Sequence, residues 1–280
     1  PGISSAASDV YKRQLLNLEQ PKIMAILNVT PDSFFDGGKF NTEIKVLNQV
    51  EKFINEGADI IDIGGYSSRP GALNISIETE LKRVISNIKL IRKEFPEIFI
   101  SIDTFRSEVA RESYCSGADI INDISGGNLD TEMLKTVGDL GAPYILMHMR
   151  GNPQNMSLKT NYKNITQDIL DYLSNGIELA KANGINDIII DPGFGFAKNI
   201  KQNFTLLNNL KDFKILNYPI LVGISRKSMI YKTLNIDVQE ALNGTTVLHT
   251  VALLKGANII RTHDVKELME CIKLIDELDC

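Results

Sequence analysis

Eight short apolar runs, each ending in a cluster of small polar or charged residues, recur along this 280-residue chain. In the first, residues 23–27 lead into residues 28–34, where Pro31 lacks an amide donor and its small polar neighbours favour a turn. An aliphatic and β-branched run of this length is typical of a buried strand. The chain therefore repeats a buried strand that ends in polar side chains.

The other seven runs follow the same pattern. Each apolar run is followed directly by its polar segment. The seven pairs are 59–63 with 64–71, 98–102 with 103–106, 119–121 with 122–127, 144–147 with 148–152, 188–190 with 191–196, 220–224 with 225–228, and 258–260 with 261–264. Segments with helical spacing lie between them, at 42–55, 76–94, 131–140, 165–183 and 238–255. This alternation indicates an α/β protein, because neighbouring parallel strands need a crossover of about a dozen residues or more.

Eight strand-helix units in about 250 residues predict a single (β/α)8 TIM barrel, with its active site at the carboxyl ends of the strands. A doubly wound open sheet is the alternative, but its ligand would collect at one switch point. Here nearly every predicted strand end carries polar residues, which favours the barrel. We expect one barrel domain over residues 15–280. Residues 1–14, rich in Ser and Ala and without periodicity, are expected to be an extraneous extension.

The charge and composition of the chain limit the kinds of binding partner that we expect. The net charge of −5 provides no basic field, so we expect no nucleic-acid partner, and a bound anion must be held by local cations. No apolar run approaches the ~20 residues of a membrane span, and no secretory leader opens the chain, so we expect a soluble, cytoplasmic protein without a membrane partner. The three cysteines lack C-x-x-C spacing and are expected to be incidental thiols. The candidate cations are Arg69, Lys227, Arg261 and His263.

All eight polar segments lie in distinctive motifs. They are N-V-T-P-D-S-F from Asn28, D-I-G-G-x-S-S-R-P-G-A from Asp62, S-I-D-T from Ser101, I-N-D-I-S-G-G from Ile121, L-M-H-M-R-G-N-P from Leu146, D-P-G-F-G-F from Asp191, G-I-S-R-K-S from Gly223 and R-T-H-D-V from Arg261. In this order they closely resemble the dihydropteroate synthase family of pterin-binding enzymes, from about residue 21 to the C-terminus. Any one motif could arise by chance, but eight in register on one face of a barrel could not plausibly do so.

The resemblance implies a small-molecule reaction of folate biosynthesis. In it, 6-hydroxymethyl-7,8-dihydropterin pyrophosphate condenses with p-aminobenzoate to give 7,8-dihydropteroate and pyrophosphate, assisted by Mg²⁺. It also implies a homodimer formed through the last helices. No residue is inserted in the loop at 64–72, so sulfonamides are expected to compete for the p-aminobenzoate pocket.

A pterin ring presents alternating hydrogen-bond donors and acceptors, which buried polar groups can recognise. Asp103, Asn122 and Asp191 match the family's pterin-binding residues, and Lys227 is expected to lie near both substrates. A lone Asp at a strand end is more often a helix cap, but three acid or amide residues within matched motifs favour binding. Met147 either packs on the pterin face or only fills the core.

Departure of pyrophosphate requires compensation of negative charge, which an arginine fork or a metal ion supplies. The resemblance implies a diphosphate site built from Asn28, Arg69, Arg261 and His263. The loop after the last strand is also a recurrent phosphate site in such barrels. Asn28 is the expected protein ligand of Mg²⁺, an ion that prefers oxygen donors and keeps several waters.

The aromatic acceptor needs apolar walls and an anchor for its carboxylate. The residues implied by the resemblance are Phe34, Ser68, Pro70, Phe196, Lys227 and Ser228. Ser228 and the start of the following helix are expected to hold the carboxylate. The residues expected to act on the reacting centre are Asp36, Asp103, Asp191 and Lys227. The first two loops are Gly-flanked, so we expect the acceptor site to be completed only after the pyrophosphate substrate binds.

Several nearby residues receive other interpretations. Asp62 and Asp123 are assigned structural roles, with support of neighbouring site residues as the alternative for Asp123. His249 is expected to be a packed helical residue, and His148 has no role that the sequence indicates. The chain also departs from the family pattern: Tyr66 replaces an acid, Ser68 replaces a threonine, and Phe35 stands where a small residue is common.

Two rival functions remain to be compared. A pterin-binding methyltransferase would share the barrel and its acidic pterin face, but it has no use for a diphosphate cluster or for the S-R-K-S and R-x-H-D motifs. A non-catalytic paralogue that only binds pterin would not need Asn28, Arg69, Lys227 and Arg261 intact. The sequence therefore favours the synthase, and a turnover assay separates it from the paralogue.

Overall fold

The structure is a computed structural model that describes residues 16–29, 39–67 and 74–278, without the side chains of 39–42. The expected extension at 1–14 lies outside these residues. So do five predicted site residues, Phe34, Asp36, Ser68, Arg69 and Pro70. Their predicted roles therefore stay predictions.

The described residues contain eight strands that pair in parallel throughout. They are β1 (Lys22–Asn28), β2 (Ile60–Gly64), β3 (Phe99–Asp103), β4 (Ile120–Asp123), β5 (Tyr144–Met147), β6 (Ile188–Asp191), β7 (Leu221–Val222) and β8 (Ile259–Thr262). Their order in the sheet is β6-β5-β4-β3-β2-β1-β8-β7. The two edges meet where Ile190 of β6 forms a parallel bridge with Ile220, and the Ile190 amide donates to the Pro219 carbonyl at 2.9 Å. The sheet therefore closes on itself, which confirms the predicted barrel.

Helices on the outside connect the strands. Those described are α1 (Lys39–Glu56), α2 (Ile77–Glu94), α3 (Ser107–Cys115), α4 (Met133–Leu140), α5 (Ile165–Ala182), α6 (Ile200–Asn208), α7 (Ser228–Leu234), α8 (Leu242–Leu254) and α9 (Val265–Asp276). The helix predicted at 238–255 is divided, because Asp237 and Glu240 form a capping box around a short 3-10 turn that precedes α8. No helix in the described part of the chain is both long and apolar enough to span a membrane.

Two apolar layers hold the barrel together. The larger layer lies between the strands and the helices and includes Ile61, Ile100 and Ile190. The smaller fills the barrel near the amino ends of the strands, where Met24, Ile60, Ile120, Ile145, Ile189, Leu221 and Ile259 pack together. Since successive strand residues point to opposite faces, the two layers arise from alternate residues of the same strands.

The inward face changes from apolar to polar along β2, β4, β6 and β8. Two residues beyond Ile60, Ile120, Ile189 and Ile259, on the same face, stand Asp62, Asn122, Asp191 and Arg261. The apolar plug therefore forms the floor of a polar layer at the carboxyl ends of the strands. This is the end of the barrel at which active sites of the fold lie.

Candidate active site

Arg261 of β8 lies between two carboxylates in this polar layer. Its Nε is 2.6 Å from Oδ2 of Asp62, and one terminal nitrogen is 2.8 Å from Oδ2 of Asp103. The side-chain amide of Asn122 donates to both carboxylate oxygens of Asp62, at 3.3 and 3.2 Å. Asp62 is fully buried, and a buried charge is tolerated when it is paired and hydrogen-bonded. Asp62 thus holds Arg261 and Asn122 in fixed positions.

Strand register brings further polar groups to the same level. Gly64 of β2 lies opposite Asn28 of β1 and Asp103 of β3, and Asp103 lies opposite Asn122 of β4. A Cβ atom at Gly64 would lie 3.3 Å from the Asn28 side-chain oxygen and 3.9 Å from Oδ2 of Asp103. The glycine therefore leaves space between the asparagine and the carboxylate.

The buried acids have altered proton affinities. Burial raises the pKa of Asp103 to about 7, because the attraction of Arg261 only partly offsets burial and the neighbouring Asp62 charge adds to it. Burial also raises the pKa of Asp191, against the opposing attraction of Lys227. Near neutral pH, Asp103 can therefore exist in either protonation state. Such a carboxyl can accept or donate a hydrogen bond to a ring with mixed donors and acceptors.

Asp191 and Lys227 extend the layer across β6 and the loop after β7. A carboxylate oxygen of Asp191 accepts a hydrogen bond from the Gly193 amide at 2.7 Å. The Lys227 ammonium donates to the Phe194 carbonyl and lies 4.8 Å from the centre of the Phe196 ring. Burial lowers the pKa of Lys227 to about 8, although the Asp191 carboxylate opposes the shift. Lys227 therefore joins the polar layer to an aromatic wall.

The segments after β7 and β8 are held to each other. The Ser225 hydroxyl is 3.0 Å from Nδ1 of His263 and accepts from the His263 amide at 3.2 Å. Arg226, with a left-handed φ of 53°, forms a two-pronged pair with Asp264, at 3.0 and 2.5 Å. These contacts hold Arg226 in the loop after β7 and keep His263 against Ser225.

An apolar cluster borders the polar layer. Met147, which pairs with Asp191 across the sheet, is buried in it, and the partly buried Phe196 packs against it. Its other buried members are Ile124, Met149, Met156 and Ala197. Ser228 begins α7 and is half-buried. A flat aromatic ligand would find apolar contacts here beside the Lys227 cation.

Ten predicted site residues are described, and all lie at the carboxyl ends of strands or just beyond them. They are Asn28, Asp103, Asn122, Met147, Asp191, Phe196, Lys227, Ser228, Arg261 and His263. Direct contacts join Arg261 to Asp103 and Lys227 to Phe196. Without a ligand, Arg261 is already paired with two acids.

The side-chain oxygen of Asn28 suits a metal ion that takes most of its ligands from a phosphate group and from water. Within the ranges that the structure describes, no group of three or more His, Cys, Asp or Glu side chains could hold a metal ion. The Asn28 oxygen borders the space left by Gly64. One amide oxygen combined with phosphate oxygens and waters is an arrangement that Mg²⁺ accepts. The residues present therefore fit a magnesium ion bound together with a diphosphate.

Comparison with known proteins agrees with this geometry. Residues 24–263 match the family model described as pterin binding enzyme. Dihydropteroate synthase of Escherichia coli (strain K12) is 44% identical over 263 residues, which is 93% of each chain. The chain belongs to the dihydropteroate synthase family. A Synechocystis member is 46% identical over 259 residues, covering 91% of this chain and 89% of that protein.

Solved structures of the dihydropteroate synthase family have the same fold. The Yersinia pestis enzyme, in a sulfonamide drug complex, superposes with a TM-score of 0.90 at 39% identity, over 96% of this chain and 98% of that one. The Xanthomonas albilineans enzyme with 4-aminobenzoic acid gives a TM-score of 0.89 at 34% identity, over 95% and 96% of the two chains. Both comparisons cover the whole barrel.

Tyr66, which departs from the pattern expected for dihydropteroate synthases, packs against Phe105 and Arg106. Its buried ring meets Phe105 edge to face at 5.0 Å, and its hydroxyl accepts from the Gln154 side chain at 3.0 Å. The Arg106 guanidinium lies 5.3 Å from the ring centre and is paired with the buried Glu80 at 2.8 Å. Glu80 and Tyr66 therefore hold the Arg106 cation beside position 66, where the family pattern has an acid.

Asp123 and His249, near the site, both occupy buried structural positions. Asp123 accepts four hydrogen bonds, from the Ser125 amide and hydroxyl, the Gly127 amide and the Tyr144 hydroxyl, at 2.7–2.8 Å, which confirms a structural role. His249 is buried in α8 as expected, and burial lowers its pKa to about 4.

Two contributors to the site were missed or undervalued. Asp62 was assigned only a structural role, yet it is the residue that orients both Arg261 and Asn122. Strand periodicity was the available signal, because Asp62 shares the inward face of Ile60 and Gly64. Lys198 was not singled out, although it is buried beside the site. A lysine seven residues after a strand carries no periodic signal.

Proposed function

We propose that the protein condenses 6-hydroxymethyl-7,8-dihydropterin pyrophosphate with p-aminobenzoate, forming 7,8-dihydropteroate and releasing pyrophosphate. Family membership at 44–46% identity over more than nine-tenths of the chain supports this reaction. The structural observation that carries it is the layer of Asp62, Asp103, Asn122 and Arg261, which offers paired acid, amide and cation groups on one level. Neighbours in complex with 4-aminobenzoic acid or a sulfonamide drug support the same substrate class.

The pterin ring is proposed to bind across Asp103, Asn122 and Asp191. Asp103 and Asn122 lie side by side on β3 and β4, and Asp191 ends β6, beyond β5. The pKa of Asp103, raised to about 7, allows this carboxyl to match either a donor or an acceptor on the ring. Met147 would then pack against the ring. An analogue without the ring amide would leave these buried groups unpaired, which gives the site its selectivity.

The diphosphate is proposed to bind at the rim formed by Asn28, Arg261 and His263, with Arg69 contributed by the second loop. Arg261 has a guanidinium fork suited to phosphate oxygens. Its pairs with the Asp62 and Asp103 carboxylates fix the position of this guanidinium. Mg²⁺, held by the Asn28 oxygen and the substrate, would supply Lewis acidity to the leaving group when bound.

The chemical step is proposed to begin with cleavage of the bond between the pterin methylene carbon and the diphosphate oxygen. The leaving group takes the electron pair, and the methylene becomes cationic. Asp103 and Asp191, with Asp36 from the first loop, would stabilise that positive charge. The aniline nitrogen of p-aminobenzoate then forms the new C–N bond and loses one proton to solvent. No general base is needed, because the electrophile is highly reactive.

The acceptor is proposed to lie between Phe196 and the stem of Lys227, with Phe34, Ser68 and Pro70 completing its walls. The cation-π contact between Lys227 and Phe196 supports this arrangement, because it keeps an ammonium against an aromatic surface. Ser228, at the start of α7, would bind the carboxylate of the acceptor.

A homodimer through the last helices is proposed as well. Apolar side chains are exposed on α8 and α9, where Val247, Leu254 and Leu274 have 53%, 51% and 70% of their surface accessible. Leu234 at the end of α7 is 51% exposed and extends this surface. Light scattering should give twice the chain mass, whereas Val247→Glu should give a monomer. A wild-type monomer at micromolar concentration would contradict the proposal.

Product formation tests the proposed reaction. The purified protein, Mg²⁺ and both substrates should yield 7,8-dihydropteroate, identified by mass spectrometry. Omitting p-aminobenzoate should abolish the product, and Lys201→Met, on an exposed residue of α6, should leave it unchanged. Binding of the pterin substrate without any product would instead indicate the non-catalytic paralogue.

A further inference from the structure

A buried lysine and a buried histidine meet behind the acceptor wall. The Lys198 ammonium is 3.0 Å from Nδ1 of His148, and both side chains are shielded from solvent. Neither residue has a part in the reaction described above. A lysine is rarely buried unless its ammonium is fully hydrogen-bonded, so the pair requires an explanation.

The other two hydrogen bonds of the Lys198 ammonium go to one turn. Its ammonium donates to the Gly193 carbonyl at 2.7 Å and to the Phe196 carbonyl at 3.0 Å. With Nδ1 of His148, these two acceptors match the three N–H donors of an ammonium. Lys198 therefore ties the turn after β6 to the residue that follows β5.

The turn needs such support because its backbone is unusual. Gly193, Gly195 and Ala197 have left-handed φ values of 73°, 82° and 51°, and the last of these is costly for a residue with a side chain. A Cβ at Gly193 would lie 2.0 Å from the His148 carbonyl, so the turn is pressed against the end of β5. A turn of this shape directs several carbonyls inward, where they need donors.

The same turn carries part of the acceptor wall. The Phe196 ring lies under the Lys227 ammonium, and the Phe194 carbonyl accepts a hydrogen bond from that ammonium. A displacement of the turn would therefore move both the aromatic wall and the partner of Lys227. Of the pterin-facing groups, Asp103 and Asn122 lie on β3 and β4, away from the turn, whereas Asp191 accepts a hydrogen bond from the Gly193 amide of the turn.

The protonation state of His148 follows from its partner. Burial lowers the pKa of Lys198 well below its usual value, although the Asp191 carboxylate opposes the shift. With Lys198 as an ammonium, which has no acceptor site, Nδ1 of His148 accepts and the neutral ring carries its proton on Nε2, which has no hydrogen-bond partner among the described residues. Burial, reinforced by the charges of Lys198 and Arg150, lowers the pKa of His148 well below its usual value, which is consistent with a neutral ring. The ring is further held edge to face against Tyr172, with centres 4.7 Å apart.

We propose that Lys198 and His148 form a buried positioning pair, which fixes the turn from Gly193 to Ala197 and thereby sets the placement of Phe196 and Lys227 for the aromatic acceptor. The inference rests on the proposed function, because the acceptor is its second substrate. It gives His148, which follows β5 within a family motif, the role of an acceptor for Lys198. It also predicts a larger effect on the acceptor than on the pterin, because two of the pterin-binding groups, Asp103 and Asn122, lie outside the turn.

Three variants test the pair. Lys198→Met keeps the aliphatic stem but removes all three donors, and His148→Leu removes the acceptor. His148→Asn restores a side-chain oxygen close to the position of Nδ1. The control is Lys201→Met, which removes an exposed lysine one turn further along the chain. All are measured in the full chain with Mg²⁺ and saturating pterin substrate.

We expect Lys198→Met and His148→Leu to raise KM for p-aminobenzoate roughly tenfold or more. The loss of pterin affinity by calorimetry should be clearly smaller, about threefold at most, because Asp103 and Asn122 lie outside the turn. His148→Asn should recover most of the loss, and the control should behave as wild type. A folded Lys198→Met protein with unchanged KM would overturn the proposal. Equal losses of pterin and acceptor affinity would also overturn it, because they indicate general damage to the site. If Lys198→Met fails to fold, the comparison of His148→Leu with His148→Asn decides.

A spectroscopic readout separates this inference from the reaction itself. The chain has three histidines, so nitrogen-proton correlation spectra of an isotope-labelled sample can resolve the His148 ring. The pair predicts a neutral ring protonated on Nε2, and a changed ring signal in Lys198→Met. Protonation on Nδ1 would contradict the pair, since it requires a neutral amine at Lys198. Absence of turnover in the wild type would refute the proposed function, while this spectrum would still test the pair.

Discussion

Replacing Arg261 by methionine should destabilise the protein in a manner that depends on pH. Arg261 is the cation between Asp62, which is fully buried, and Asp103, whose side chain is 15% exposed. Removing one partner of a buried ion pair costs about 3–5 kcal/mol, because the remaining charge is left without compensation. Two acids lose their partner here, so the upper half of that range is expected where both are ionised.

The pH dependence follows from Asp103. Its pKa in the folded protein is raised to about 7 from an ordinary 3.8, so the stability linked to this carboxyl is greatest at low pH and is lost as pH rises through 7. Without Arg261 the pKa of Asp103 rises further. Below this pKa the carboxyl is neutral in both proteins, so the loss at about pH 5.5 should be smaller than at about pH 8 by roughly 1–2 kcal/mol.

Urea unfolding followed by circular dichroism at the two pH values measures this difference. The control is Lys266→Met, which removes a cation from the exposed pair with Glu270 and should have little effect at either pH. Equal destabilisation by Arg261→Met at both pH values would refute the argument, because it would mean that Asp103 does not change charge in this range. A loss no larger than that of the control would show that Arg261 does not compensate the buried acids.

Three further predictions concern binding and activity. Asp191→Ala should lose a charged hydrogen bond to the pterin, worth about 1.5–3 kcal/mol, so calorimetry should find at least a tenfold weaker affinity in a folded protein. Burial lowers the pKa of Lys227 to about 8, so turnover should decline as the pH rises above that value and the ammonium loses its proton. The pH profile of Lys227→Met should lack this descending limb. Sulfonamides should inhibit competitively with p-aminobenzoate, and inhibition that excess p-aminobenzoate does not relieve would exclude a shared pocket.

The barrel was predictable from the sequence because two signals identify each strand. One is the apolar run, and the other is the polar segment that follows it. Periodicity then assigns Asp103, Asn122, Asp191 and Arg261 to one end of the barrel. It does not reveal which of these groups pair with each other. That depends on register across the sheet, which brings Gly64 between Asn28 and Asp103.

The contributions of Asp62 and Lys198 were harder to predict for different reasons. Asp62 lies within a strand, where an acid is readily assigned to structure, and its effect on the site acts through Arg261 and Asn122. Lys198 acts through contacts formed by a turn with left-handed residues, and single-residue patterns do not specify such a turn. Even for His148, located within a motif, the sequence does not indicate its buried partner.

Pyrophosphate release dependent on p-aminobenzoate is the measurement that tests the central claim most directly. A coupled assay with the pterin pyrophosphate and Mg²⁺ should show release only when p-aminobenzoate is added, with one pyrophosphate for each 7,8-dihydropteroate formed. Folded Asp191→Ala should release far less under the same conditions, whereas Lys201→Met should match the wild type. Release that is independent of p-aminobenzoate, or no release by a protein that binds the pterin substrate, would contradict the account.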